Sequence, residues 1–268
     1  MSKSLGTLIH KCLACHYGLG NWELGLEANA PDTGPSIYSA HKLMQFAFCP
    51  QAWAFRWKLG LELRSADSGD LQVEARQTML DYLEAYRRID TFLQPVAVEH
   101  EIIGQIGTAP VSVRIDLVAS YHDRLVILDH KTAANVPSRL RGIQTESALA
   151  IQEIIFKQSL SDPLWQGMPY GGLYLNLIET SKKPNFNERF QRKEIVFDPG
   201  FISSLPTTLS YVKDLIDANA DRNPWHYPRV GMFAANCMTK YGICPYRALC
   251  LYGRSESGKY SWNQLDQS

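Results

Sequence analysis

Cysteine is scarce in this chain, with six residues in 268, far from the density of a small secreted domain stapled by disulfides. Long apolar runs are missing too. Nothing approaches the roughly 20 apolar residues that a helical membrane span requires, so no membrane role is expected. The N-terminal "MSKSLGTLIHKCLACHYG" has too little apolar length for a secretory signal. A cytoplasmic placement, in a prokaryotic cell or encoded by a phage, is the expectation, and in that compartment grouped cysteines bind metal more often than each other. A charge excess is also lacking: 27 basic residues balance 27 acidic ones. That argues against a basic protein that coats nucleic acid, but not against an enzyme whose acidic site offsets a basic groove. There is no internal repeat and no low-complexity tract, which excludes solenoids and disordered linkers. What the chain does have is 45% hydrophobic and 11% aromatic residues, enough to build a sizeable core.

Along the chain, residues 1–36 mix Gly, Asn, Pro and Asp and end in a loop. Ser36 or Ser39 then caps an expected helix from about Ala40 to Leu59, broken near Pro50. A second helix is expected over "DLQVEARQTMLDYLEAYRRID", where Leu71, Ala75, Met79, Tyr82 and Tyr86 recur at helical spacing. After Pro95, "VAVEHEII", "VSVRIDLVAS" and "RLVILDHKT" are rich in β-branched residues and read as three strands of an antiparallel meander. Helices are expected again over "TESALAIQEIIFKQSL" and "DPLWQGMPYGGLYLNLIE", then a strand over "RFQRKEIVFD" and a helix over "GFISSLPTTLSYVKDLIDANA". The order α, β, β, β, α, β, α predicts an α/β fold with a mixed central sheet flanked by helices.

The chemistry concentrates in "VRIDLVASYHDRLVILDHKTA". The turn at "YHDR" returns the second strand beside the first, which brings Asp116 towards Asp129 although they are 13 positions apart. Two adjacent carboxylates repel and are costly to bury unless a cation joins them. A hard divalent ion, Mg2+ or Mn2+, suits an oxygen-only pair. Lys131 lies two residues beyond Asp129, so both side chains share a sheet face, with His130 on the other. An ammonium there orients an attacking water or stabilises charge developing on a phosphate. Asp-x-Lys alone reads better as an ordinary strand-end ion pair.

Taken together, these residues resemble the PD-(D/E)XK nuclease superfamily, and within it the RecB-like exonuclease branch. The resemblance implies a restriction-endonuclease-like core whose metal site uses Asp116, Asp129 and the backbone carbonyl of His130, with Lys131 beside it. It also implies Gln-x-x-x-Tyr on the following helix, matched by "QGMPY" from Gln166 to Tyr170, which would line the site and hold DNA. Pro169 interrupts that turn, and the helix before the sheet lacks the metal-binding His of many relatives. Glu74 on that helix or Glu99 on the first strand is the candidate for the additional acid. Trp53, Trp57 and Trp165 suit base stacking but read better as core.

A subgroup of these nucleases, the AddB type and those of CRISPR adaptation, carries one cysteine before the core and three after it. Here "FCP" and "CMTKYGICPYRALC" supply Cys49 and then Cys237, Cys244 and Cys250. The resemblance implies that these four hold a [4Fe-4S] cluster clasping the two ends of the domain. By thiolate chemistry alone Zn2+ is the alternative. The whole of 1–268 then reads as one nuclease domain: a segment 1–36, a helical part 37–92 with Cys49, a core 93–222 and a cysteine segment 223–268. The implied activity is exonucleolytic hydrolysis of DNA with a single-stranded end. Partners in recombination, replication or CRISPR adaptation, and self-association, are compatible with it. Competing readings are an inactive DNA-binding subunit of a recombination complex, or a redox protein using the cluster or "CLACH". The latter, Cys12 to His16, formally matches a haem-attachment pattern but reads as a coincidence or an accessory thiol pair.

Overall fold

The computed structural model describes residues 69–86, 90–133, 143–179 and 189–223 continuously, with shorter stretches at 38–39, 54–55, 61–63, 226–227, 238–239, 242–244, 246–252, 255–256 and 260–262 and the single residues Leu43, Phe46, Pro50, Val136 and Leu140. Tyr38–Ser39 form a short strand β1, in which Ser39 pairs in parallel with Ser112; residues 40–42, where the expected cap would act, lie outside the described residues. Leu43, Phe46 and Pro50 are helical. After β2 (Leu61–Leu63) comes α1 (Gly69–Tyr86).

The expected meander follows as β3 (Leu93–Ile106), β4 (Ala109–Tyr121) and β5 (Arg124–Ala133). Two short turns close it. Gly107 takes φ +60 between β3 and β4, and His122 and Asp123 take φ 49 and 59 between β4 and β5. Paired left-handed residues match the right-handed twist of a two-residue hairpin. From β5 the chain crosses through α2 (Ser147–Gln158) into β6 (Tyr170–Glu179), which runs parallel to β5. β7 (Phe190–Ile195) returns antiparallel to β6, and α3 (Pro199–Ala218) closes the core. Asp198 caps α3 by accepting the Phe201 N–H at 2.8 Å, with Pro199 in the first turn. The six-stranded mixed sheet has the order β1-β4-β5-β6-β7, with β3 on the other side of β4. This is the α/β architecture expected, with one correction: the helix expected over "DPLWQGMPYGGLYLNLIE" is instead a single 3-10 turn, Pro163–Trp165, followed by the strand β6.

Two apolar layers sandwich the sheet. On one face Leu149, Ile151, Ile155 and Phe156 of α2 and Leu205, Leu209, Val212 and Ile216 of α3 pack onto Val111, Val113, Ile115 and Ile127. Each such side chain stabilises by about 1.5–3 kcal/mol when buried, so these two helices fix the sheet. Gly104 permits the close approach of α2, because a Cβ there would lie 2.8 Å from Ile155 Cδ1. On the other face Leu117, Ala119, Val126 and Leu128 form a smaller cluster. Beside it α1 lays Tyr82 against Phe190 and the His130 ring.

The pleat is irregular around Asp116. In β4, Val111, Val113 and Ile115 face the first layer, yet Leu117 and Ala119 face the second. Alternation therefore slips at Asp116. Across the ladder, Val98 pairs with Leu117 and His100 with Ile115, which sets Glu99 opposite Asp116. Glu99 takes φ 49 there, a conformation uncommon outside glycine. Irregularities of this kind in a strand pair concentrate next to active sites.

The C-terminal part meets the segment before α1. β10 (Tyr260–Trp262) pairs antiparallel with β2, and the Phe55 and Tyr246 rings lie 6.1 Å apart. β8 (Met238–Thr239), β9 (Gly242–Ile243) and α4 (Arg247–Tyr252) complete the described C-terminal part. No described helix is long and apolar enough to cross a membrane.

Candidate active site

Asp116 sits where the sheet splits. β4 pairs with β5 from Tyr121↔Arg124 to Leu117↔Leu128, and its next partner on that side is β1, at Ser112 and Val111. In the gap, the Asp116 Oδ2 accepts the backbone N–H of His130 at 2.7 Å. Continued by one step, the register of β4 and β5 sets Asp116 opposite Asp129. The hairpin thus brings together the two carboxylates that the sequence separates.

Asp129 follows Ile127 on the α2 face and is only 3% exposed. A lone carboxylate so deep would cost several kcal/mol. Lys131, on the same face, compensates it: Nζ lies 2.8 Å from Oδ1 and 2.7 Å from Oδ2. Burial works against the charge of Lys131, but the carboxylates of Asp129 and Asp116, and more weakly Glu146, outweigh it and hold the ammonium above the usual lysine range. The Lys131 side chain keeps 32% of its exposure, so water reaches it.

Glu146 was not anticipated. It precedes α2 as the N-cap residue without making a side-chain cap hydrogen bond, and its charge reaches Lys131. In the sequence it reads as an ordinary acidic residue at a helix start. Of the two candidates for an additional acid, Glu99 is exposed and opposite Asp116. Glu74 falls on α1, and its side chain lies outside the described residues.

The Gln166–Tyr170 pair does not share a helical face. Gln166 ends a single 3-10 turn, Pro163–Trp165, in an exposed left-handed conformation (φ 53), and Tyr170 opens β6. The Tyr170 hydroxyl donates to Glu153 Oε1 at 2.9 Å, on α2, and burial followed by that carboxylate pushes its pKa well above the ordinary tyrosine range. Trp165 is core: 1% exposed, packed on Phe156 and donating from Nε1 to Ser159. Trp53 and Trp57 lie outside the described residues, as do Cys12, Cys15, Cys49 and Cys237. Cys244 is half-buried and Cys250, on α4, is buried. They flank Tyr246, the residue that touches Phe55.

Behind the site lies a row the sequence reading passed over. His130, Asn176 and Arg192 are register partners on three neighbouring strands. Asn176 is fully buried. Its signal is visible in the sequence as a lone amide inside the apolar run "LYLNLI".

Among the described residues, no group of three or more His, Cys, Asp or Glu is gathered as a metal site. The hard-oxygen pair of Asp116 and Asp129 nevertheless fits Mg2+ or Mn2+, since Mg2+ is commonly held by one or two carboxylates with water and substrate phosphate completing the shell. A family model of the PD-(D/E)XK nuclease superfamily matches residues 1–251. The chain belongs to this superfamily. Its Asp116, Asp129 and Lys131 therefore sit within a nuclease fold. No curated protein matches the chain in sequence. Similar solved structures include that of SSO0001, 13% identical with a TM-score of 0.38, covering 78% of this chain and 84% of that one. Another is "Putative exonuclease" from Eubacterium rectale, 10% identical with a TM-score of 0.42, covering 86% of this chain and 84% of that one.

Proposed function

We propose that this nuclease hydrolyses DNA with the aid of Mg2+ or Mn2+, working exonucleolytically from a single-stranded end. The observation that carries the reading is the gathering of Asp116, Asp129 and Lys131 at the split between β4 and β5. Asp116, Asp129 and the His130 carbonyl hold the cation, which supplies Lewis acidity toward the phosphate. Lys131 keeps its proton beside Asp129, orients the attacking water and meets the negative charge that grows on the phosphate oxygens. Glu99 is the acid best placed to join them. The exonucleolytic mode is drawn from the RecB-like motif order and is the part of the reading tested separately.

The same reading includes a four-cysteine clasp of Cys49, Cys237, Cys244 and Cys250 holding [4Fe-4S], with Zn2+ as its competitor. Support comes from the contacts between the segment before α1 and the C-terminal part, β2 with β10 and Phe55 with Tyr246. A clasp across about 190 positions restricts the unfolded chain and couples metal binding to folding.

The test is digestion of end-labelled linear and closed circular DNA with Mn2+ and with EDTA. Mononucleotides from linear single strands only, and none in EDTA, is the expected result. Cleavage of the closed circle would remove the exonuclease assignment, and cleavage in EDTA would remove the metal.

A further inference from the structure

The row behind the site has a defined direction. Arg192 can only donate, so the Asn176 atom facing its Nε at 2.6 Å is the amide oxygen. The amide nitrogen then faces the Tyr82 hydroxyl at 3.2 Å and the His130 Nε2 at 3.0 Å. An amide NH2 has no acceptor capacity, so His130 Nε2 must accept and the ring proton must sit on Nδ1. That nitrogen lies 3.5 Å from Asp116 Oδ2, the same oxygen that accepts the His130 backbone N–H at 2.7 Å. The far end is anchored as well. Arg192 meets Asp90 at 2.8 Å, donates to the Tyr82 hydroxyl at 3.2 Å and lies over the Tyr86 ring, 4.6 Å from its centroid. His130 is 2% exposed and Asn176 fully buried, so water does not substitute for these partners.

We propose that Arg192, Asn176 and His130 form a positioning relay for Asp116, and that Asn176 is a positioning residue of the nuclease site. The relay fixes His130 as the neutral Nδ1–H tautomer. The protonated Nδ1 then lies 3.5 Å from the Oδ2 that the backbone N–H of the same residue holds at 2.7 Å. This polar proximity, together with the backbone bond, biases the carboxylate to one orientation at the split of the sheet. The three residues are ladder neighbours, so the strand register that builds the fold also sets the tautomer. This rests on the reading of Asp116 as a metal ligand. Partners behind a ligand that fix its orientation typically matter by about 10- to 100-fold in metal affinity or activity.

Two measurements test it. The first is ring 15N NMR of histidine-labelled protein in EDTA at neutral pH, with His130→Asn identifying the resonance. A protonated Nδ1 and an accepting Nε2 are expected, and loss of that pattern in Asn176→Leu. A wild-type His130 protonated on Nε2 overturns the relay without reference to activity. The second is Mn2+ titration, followed by calorimetric binding and by DNA cleavage. Asn176→Leu and His130→Leu should each need about 10- to 100-fold more Mn2+. His130→Asn, which keeps a donor near the Nδ1 position, should recover most of that loss. Unchanged Mn2+ requirements in both Leu variants, or no recovery in His130→Asn, overturn the positioning role. Should the Leu variants fail to fold, the wild-type tautomer still decides. A wild-type protein with the Nδ1–H tautomer that neither binds Mn2+ nor cleaves DNA would defeat the nuclease reading and the positioning role with it, leaving the hydrogen-bonded row intact.

Discussion

Replacing Lys131 by Met removes the ammonium that touches both oxygens of Asp129 and leaves a carboxylate whose side chain is 4% exposed. Breaking a buried pair by deleting one partner costs about 3–5 kcal/mol, because an uncompensated charge stays behind. Lys131 keeps 32% of its exposure, so part of that attraction is already screened, and about 2–3 kcal/mol is the reasonable figure. For a domain of this size each kcal/mol moves Tm by about 2–4 °C. Calorimetry in EDTA should therefore show Lys131→Met melting roughly 4–12 °C below wild type. Asp129→Asn is the informative contrast. Its amide needs no cation, and the released ammonium is the more exposed partner, so its loss should be about 1 kcal/mol. Saturating Mn2+ should recover part of the Lys131→Met deficit, because an ion that binds the folded state stabilises it by mass action. In single-turnover digestion both variants should lose about 10²- to 10³-fold in rate, the usual cost of removing one preorganised charge. Equal melting of the two variants in EDTA would refute the assignment of burial and charge to this pair. Undiminished cleavage by Lys131→Met would refute its role in the chemistry.

Burial raises the hydroxyl pKa of Tyr170, reinforced by Glu153, and that of Tyr86, against the opposing pull of Arg192. A raised folded-state pKa gives stability that is complete below the unfolded tyrosine value of about 10 and is lost as pH climbs above it. In an alkaline titration these two phenols should ionise only as the chain unfolds, so part of the tyrosinate absorbance should rise together with loss of circular dichroism. Gly107→Ala should destabilise by about 2 kcal/mol or more, since φ is +60 and a Cβ would lie 2.5 Å from the Pro206 carbonyl oxygen and closer still to Ser210; chemical denaturation measures it. Protein purified without oxygen should be brown and carry four irons, and Cys250→Ser should bleach it. A colourless protein with one zinc would replace the iron–sulfur proposal by a zinc clasp.

The meander was readable because each of its strands carries its own signal: alternating β-branched residues, a Gly at one turn and "HD" at the other. The placing of Asp116 opposite Asp129 was readable for the same reason, since a hairpin's register follows from its turn. β6 was misread. "YGGLYLNLIE" lies between β5 and β7 and is buried along most of its length, and an interior strand of this kind loses the polar alternation that separates a strand from a buried helix. That error also placed Gln166 and Tyr170 on a helix that does not exist. The crossover helix is α2, whose Gln152 donates to the Arg114 carbonyl at 3.2 Å. Ser39 illustrates a different limit. A serine before an apolar run has the chemistry of a cap, and its pairing with Ser112 is a further contact, over 73 positions, that no local pattern encodes. Asn176 was passed over because its partners come from three other elements, and only the assembled ladder gives its amide a direction.

The most direct measurement compares wild type with Asp116→Ala in Mn2+-dependent degradation of labelled DNA, with calorimetry confirming that both are folded. Asp116 is the residue that the split of the sheet, the His130 N–H and the relay all converge on. The account predicts cleavage by wild type and a loss of at least about 10²-fold in the variant. Cleavage by a folded Asp116→Ala protein at the wild-type rate would contradict it.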